Sequence, residues 1–129
     1  MFELKTITHF AAAHQLRNFG GPCENLHGHN WKIEISVASD MLNETGIVVD
    51  FAVIKKKTAA IIKELDHQFL NNLDPFKDHN PSSENIAQYI AARLSAEVNT
   101  STVWVARVTA WESDNACATY YPDSRSAHP

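Results

Sequence analysis

The sequence predicts a single α+β domain in the order ββααββ, with a four-stranded antiparallel sheet and two helices packed across one of its faces. Three observations carry this expectation. Apolar and polar residues alternate with period two near both ends of the chain, as half-buried strands require. Between those segments, two stretches repeat apolar residues at helical spacing. The length of 129 residues, 44% apolar and 20% charged, suits one core and leaves no room for a second substantial one.

Residues 2–14 read as the first strand: Phe2, Leu4, Phe10 and Ala12 share one parity, Glu3, Lys5 and His9 the other, and His14 closes it. A turn-rich stretch with Asn18, Gly20, Gly21 and Pro22 follows. In the second strand Trp31, Ile33, Ile35 and Val37 alternate with Lys32, Glu34 and Ser36. Gly46 and Ile47-Val48-Val49 lead to Asp50, which can cap a helix carrying Ile54, Thr58, Ile61, Ile62, Leu65 and Phe69, expected to stop near Asn71 to Pro75. A second helix starts around Asn80-Pro81-Ser82-Ser83 and presents Ile86, Tyr89, Ile90 and Leu94. Residues 102–112 alternate again, with Trp104, Val108 and Glu112 in one parity and Val103, Val105 and Trp111 in the other. A Ser113-Asp114-Asn115 turn then gives a last strand near Ala116 to Tyr121, and about 122–129 form a polar, frayed tail. Segments 31–38 and 103–110 are apolar on much of both faces, so a neighbouring subunit is expected to cover the side away from the helices.

The net charge of −4 gives no electrostatic footprint for nucleic acid, and Lys55, Lys56 and Lys57 read as the solvated face of a helix. No window approaches the roughly 18 apolar residues of a membrane span, and MFELKTITHF lacks a basic segment followed by an apolar stretch, so the expected location is the cytoplasm. Cys23 and Cys117, the two cysteines, lie far apart in unlike contexts and read as free thiols.

Seven histidines are many for this length, and three of them fall at the ends of strands that should be neighbours. In His27-Gly28-His29 the two imidazoles point to one side of an extended backbone, and glycine between them removes a side chain that would crowd an approaching ion. If the first two strands pair, His14 adds a third nitrogen. Three histidines with an open fourth position form a catalytic zinc pattern, with Zn–N of about 2.0–2.1 Å. Two unrelated surface histidines and one in the core remain the alternative. Cys23, four residues before His27, is either a thiol activated by a nearby dication or a small buried hydrophobe. Asp66-His67 is either an acid–imidazole pair or a helix C-terminus with a dipole-compensating histidine, since adjacent helical residues do not face each other. Glu112, at the end of a strand, either accepts two parallel hydrogen bonds from an amidine-like edge or is solvated.

Taken in order, Phe10-Ala11-Ala12-Ala13-His14, Cys23 ahead of His27-Gly28-His29, Gly46-Ile47-Val48-Val49-Asp50-Phe51, Leu65-Asp66-His67, Asn80-Pro81-Ser82-Ser83-Glu84-Asn85 and Trp111-Glu112 run across residues 2–121. This text resembles the family of 6-pyruvoyl-tetrahydropterin synthase and 6-carboxy-tetrahydropterin synthase. The resemblance implies the tunnelling fold, with ββααββ subunits forming a barrel of trimers that pair as a homohexamer and share sites between subunits. It implies zinc on His14, His27 and His29, proton transfer by Cys23 and the Asp66/His67 dyad, the dyad serving a neighbour's zinc, and Glu112 as the pterin anchor. Ser83 and Glu84 lie in a segment similar to the family's Pro-Thr-Ser-Glu and are implied to help hold the pterin, with Ser82 standing where threonine is usual.

The substrate class implied is 7,8-dihydroneopterin triphosphate, and the product favoured is the bacterial type, 6-carboxy-5,6,7,8-tetrahydropterin on the route to queuosine and other 7-deazapurines. The animal type instead retains the three-carbon side chain as 6-pyruvoyl-tetrahydropterin. Relatives that make 6-hydroxymethyl-dihydropterin for folate carry glutamate three residues before the first histidine of HGH. Glu24 stands there, beside Cys23, as a possible second acid/base. A cupin-like zinc oxygenase also uses HxH, but needs more strands than this pattern supplies, and a silent assembly protein of the same fold is the non-enzymatic alternative. Arg17 and Lys32 lie near the site in sequence and read as surface charge.

Overall fold

A computed structural model describes residues 1–17 and 25–122, and the expectations for Cys23, Glu24, the Gly20-Gly21-Pro22 turn and the tail beyond Pro122 fall outside the described residues. Strand β1 (Phe2–His14) and strand β2 (His27–Ser39) form a long antiparallel hairpin. Helix α1 (Phe51–Leu65) follows, then a two-residue strand β3 (Gln68–Phe69) and two short 3-10 turns. Helix α2 (Ser83–Val98), strand β4 (Val103–Ser113) and strand β5 (Ala116–Tyr120) complete the order. The sheet runs β3-β1-β2-β4-β5 and is mixed, because β3 pairs parallel to β1 at Ala12 and Ala13. The four-stranded antiparallel expectation is corrected by this fifth strand. Two residues are too few to leave a periodic trace in the sequence.

Both helices are capped as their sequences suggest. Asp50 Oδ1 accepts from the Ala52 N–H at 2.8 Å, and Ser82 Oγ accepts from the Asn85 N–H at 3.1 Å. Helix α1 nevertheless ends at Leu65, well short of the expected Asn71 to Pro75, and Phe69 belongs to β3 rather than to a helical face. The cause is tertiary. Asp66 closes the helix through its N–H to the Ile62 carbonyl, while its side chain turns to the Ala11 N–H of β1 at 2.9 Å.

The core lies between the sheet and the helices. Trp31, Ile33, Ile35 and Val37 are fully buried along one face of β2, and Ile54, Leu65, Ile86, Ile90 and Leu94 close over them. In β4 the alternation is broken: Ser36 pairs with Arg107 but Val37 pairs with Val105, so Ala106 is a bulge residue without an opposite number. Val105, Val108 and Ala110 therefore all face the helices. The bulge accounts for much of the apolar look of 103–110 on both parities, while Ser36 and Ala38 on the opposite face of β2 are buried as well. The helix-free side of the sheet also carries polar links, with Arg107 paired to Glu3, and with Lys5, Lys32 and the Trp111 indole N–H all reaching Glu34. No helix among the described residues is long and apolar enough to cross a membrane.

Candidate metal centre

The β1–β2 register sets His14 directly opposite His27 and Ala12 opposite His29. Period-two alternation then puts all three imidazoles on the helix side of the sheet, at one end. Their ring centroids lie 4.5, 4.7 and 5.1 Å apart, above Trp31, whose ring packs edge-on to His14 and His29. Trp31 is completely buried and forms a rigid floor. Sequence reading had assigned it only to the core.

The protonation pattern follows from the partners. His14 Nδ1 lies 2.7 Å from the Pro81 carbonyl and His27 Nδ1 lies 2.6 Å from the Asn25 carbonyl. A carbonyl only accepts, so both Nδ1 atoms carry a proton, and the neutral form of each ring keeps its lone pair on Nε2. Burial, the largest influence, lowers the pKa of His14 and of His29, which favours neutral, ligating imidazoles. His14 Nε2 is buried without a hydrogen-bond partner. Such an orphan is costly unless something else satisfies it.

Glu112 joins this cluster, and its ligand atom lies with those of His14, His27 and His29 within 4.8 Å of one another. It lies two residues beyond Ala110 and so on the helix side of β4; Trp111 pairs with Cys117 and Ser113 with Ala116, which leaves Glu112 without a partner on β5. Its Oε1 stands 3.0 Å from His29 Nε2, out of line for a hydrogen bond, and its Oε2 is 3.4 Å from Ser83 Oγ. Three imidazoles, two of them with a buried nitrogen that has no hydrogen-bond partner, and an adjacent carboxylate are a donor set that fits zinc. The resemblance implies Glu112 as the pterin anchor, while nothing in the spacing sets it beside the histidines, because the bulge at Ala106 is not visible in the alternation.

Asp66 and His67 do meet, with His67 Nδ1 2.9 Å from Asp66 Oδ2. The objection that helical neighbours diverge disappears because the helix has ended and His67 adopts a left-handed backbone with φ 59°. The Asp66 pKa is lowered, first by the Ala11 N–H and then by His67. The imidazole of His67 is 81% exposed and, with His29, lines a groove of about 530 Å³ that runs past Ala11, Ala13, Gly28 and Phe69. Glycine at 28 is not needed to clear the histidines: a Cβ there would meet only the Ala12 carbonyl at 3.9 Å, an ordinary contact, and would point to the other side of the sheet. Glu84 is exposed in the first turn of α2 beside the buried Ser83. Both basic residues near the site have partners within the chain. Arg17 donates to the carbonyls of Phe76 and His79, and Lys32 pairs with Glu34 over the Trp111 ring.

An α+β sheet that gathers three imidazoles and a carboxylate at one end, with an exposed acid–imidazole pair at its edge, has the donor set of an enzyme metal centre. The family model for 6-pyruvoyl tetrahydropterin synthase matches residues 3–123, and the chain belongs to that family, whose members are enzymes that act on pterins. A 6-carboxy-5,6,7,8-tetrahydropterin synthase of Synechocystis is 44% identical over 90 residues, 66% of this chain and 68% of that protein. The enzyme of that name from Bacillus subtilis is 34% identical, over 77% of this chain and 69% of its own length. A dihydroneopterin monophosphate aldolase of Pyrococcus furiosus is 35% identical, over 70% and 74%. Among solved structures, Caenorhabditis elegans 6-pyruvoyl tetrahydropterin synthase superposes with a TM-score of 0.85 at 26% identity, covering 95% of this chain and 96% of that one.

Proposed function

We propose that this chain is a zinc-dependent lyase that converts 7,8-dihydroneopterin triphosphate to 6-carboxy-5,6,7,8-tetrahydropterin, with loss of the triphosphate and of a two-carbon unit of the side chain. The observation that carries the metal part is the buried, unpartnered Nε2 of His14 set against His27 and His29. The names of the Synechocystis and Bacillus relatives support the product. Zinc on these histidines would supply positive charge that acidifies the substrate's side-chain hydroxyls and the adjoining C–H bonds.

The remaining steps belong to the chain's own groups. Glu112 accepts two parallel hydrogen bonds from the amino-pyrimidinone edge of the pterin, with the Ser83 hydroxyl orienting the carboxylate and Glu84 adding negative charge alongside. The Cys23 thiolate removes a proton from a side-chain carbon. His67, its Nδ1 engaged with Asp66, exchanges protons at the substrate through Nε2. Its exposure suits service to a substrate held on a neighbouring copy, in a homohexamer built as a dimer of trimers. Ile7, 52% exposed on the helix-free face, supports a face that such an assembly covers.

The aldolase name of the Pyrococcus relative favours a second reading, in which Glu24 assists formation of 6-hydroxymethyl-dihydropterin. Incubating the protein with dihydroneopterin triphosphate and identifying the pterin by mass decides among products. The 6-carboxy product and about one zinc per chain are expected, with zinc lost in His14→Ala. A 6-pyruvoyl product overturns the proposal in favour of the animal-type reaction, and a 6-hydroxymethyl product in favour of the second reading.

A further inference from the structure

A sheet edge leaves a row of backbone N–H and C=O groups without partners. On the edge of β1 away from β2, from Ala11 to Arg17, that row is closed by one stretch of chain, residues 66–80. Ala11 donates to Asp66 Oδ1 and accepts from the His67 N–H. Strand β3 pairs with Ala12 and Ala13. Beyond it the chain supplies side chains in place of a strand. Gln15 donates to Asn71 Oδ1 at 2.9 Å and accepts from Asn71 Nδ2 at 2.8 Å. Arg17 donates to Asn80 Oδ1 at 2.8 Å and accepts from Asn80 Nδ2 at 2.9 Å. Each asparagine amide thus reproduces the two-bond exchange of a ladder residue, at positions two apart on one edge.

The guanidinium of Arg17 tightens this clasp through the carbonyls of Phe76, at 2.7 Å, and His79, at 3.1 Å. Asn85 Nδ2 holds the Asn80 carbonyl from the α2 side at 2.8 Å. Pro81, fixed between these anchors, accepts the Nδ1 proton of His14. We infer that Asn71, Asn80 and Arg17 are positioning residues for the metal centre: they fix the Pro81 carbonyl against His14 and so hold the tautomer whose Nε2 is open to a cation. The inference rests on the reading of His14 as a metal ligand. Released from that carbonyl, a neutral imidazole protonates at either nitrogen, and the form protonated at Nε2 cannot ligate there.

The test compares Asn80→Ala and Arg17→Lys with Asn99→Ala, a control that removes a like bond, from the Val105 N–H to Asn99 Oδ1, at the other end of β4. Two readouts are taken: the ¹⁵N shifts of the His14 ring in metal-free protein, and zinc affinity by chelator competition. In the wild type His14 is protonated at Nδ1. Asn80→Ala is expected to mix the tautomers and to weaken zinc by about 10–100-fold, with Arg17→Lys changing both in the same direction and Asn99→Ala changing neither. An Asn80→Ala protein that keeps the tautomer and binds zinc within about twofold of wild type overturns the inference, as does an Asn99→Ala protein that weakens zinc equally. If Asn80→Ala does not fold, Arg17→Lys decides by the same two readouts. A wild type that binds no zinc overturns the metal centre itself, and a tautomer shift in Asn80→Ala then still supports the hold of the clasp on His14.

Discussion

The left-handed backbone of His67 is a cost accepted for geometry. With φ at 59° its Cβ crowds the chain, a strain of about 1 kcal/mol that glycine does not feel. What is gained is an imidazole turned back onto Asp66 while its N–H bonds the Ala11 carbonyl. His67→Gly and His67→Ala both delete the ring, so their difference isolates the backbone. The glycine variant is expected to be the more stable by about 1 kcal/mol in urea unfolding, with both inactive, and equal stabilities would show that the turn is unstrained. Residues were legible in the sequence in proportion to how local their geometry is. His27 and His29 converge through strand alternation alone. Asp66 and His67 converge only because β1 offers a backbone N–H to Asp66, and no spacing rule contains that bond. Glu112 was found, but its place among the histidines depends on the bulge at Ala106, which alternation conceals.

At the scale of elements, the boundaries set by capping residues were legible and those set by tertiary contacts were not. Asp50 and Ser82 begin their helices where their side chains can accept from the first turn. The end of α1 is set by β1, and β3 exists only because it completes the edge of that strand. Helix α2 presents Ser83 to Glu112, so its cap has a functional reach. Ser82→Ala is expected to lower stability by about 1 kcal/mol in denaturant titration, with the midpoint moving and the slope unchanged. A loss below about 0.3 kcal/mol would show that Asn85 and the neighbouring clasp hold the helix start without the cap.

The whole molecule is tied by carboxylates. Glu64 receives both arms of the Arg93 guanidinium, the main cause of its lowered pKa. Burial alone would raise the Glu34 pKa, but Lys5, Trp111 and Lys32 together bring it below the ordinary value. Asp66 is lowered by the Ala11 N–H first. A carboxylate with a depressed folded pKa contributes stability that is present above its unfolded pKa and is lost as pH falls through the folded one. Thermal melts are therefore expected to be flat, as far as these three groups act, down to the ordinary carboxylate values of 4.5 and 3.8, and to drop below them. Glu34→Gln should shallow that acid limb, and an unchanged limb would exclude Glu34 as a contributor. The Glu64–Arg93 part is exposed and should fade in high salt.

Strand β4 stores something that substitution does not reach. Ala106 faces no residue of β2, and pairing resumes at Arg107. Because Ala106 is the surplus residue, deleting it leaves Arg107 opposite Ser36 and keeps Val108, Ala110 and Glu112 on the helix side in plain alternation, whereas a residue added between Arg107 and Val108 swings all three out together. Beyond Ala106 the strand thus works as a ruler: its length is the instruction, and added residues are tolerable in the loops at its ends or at the bulge itself but not between Arg107 and Glu112.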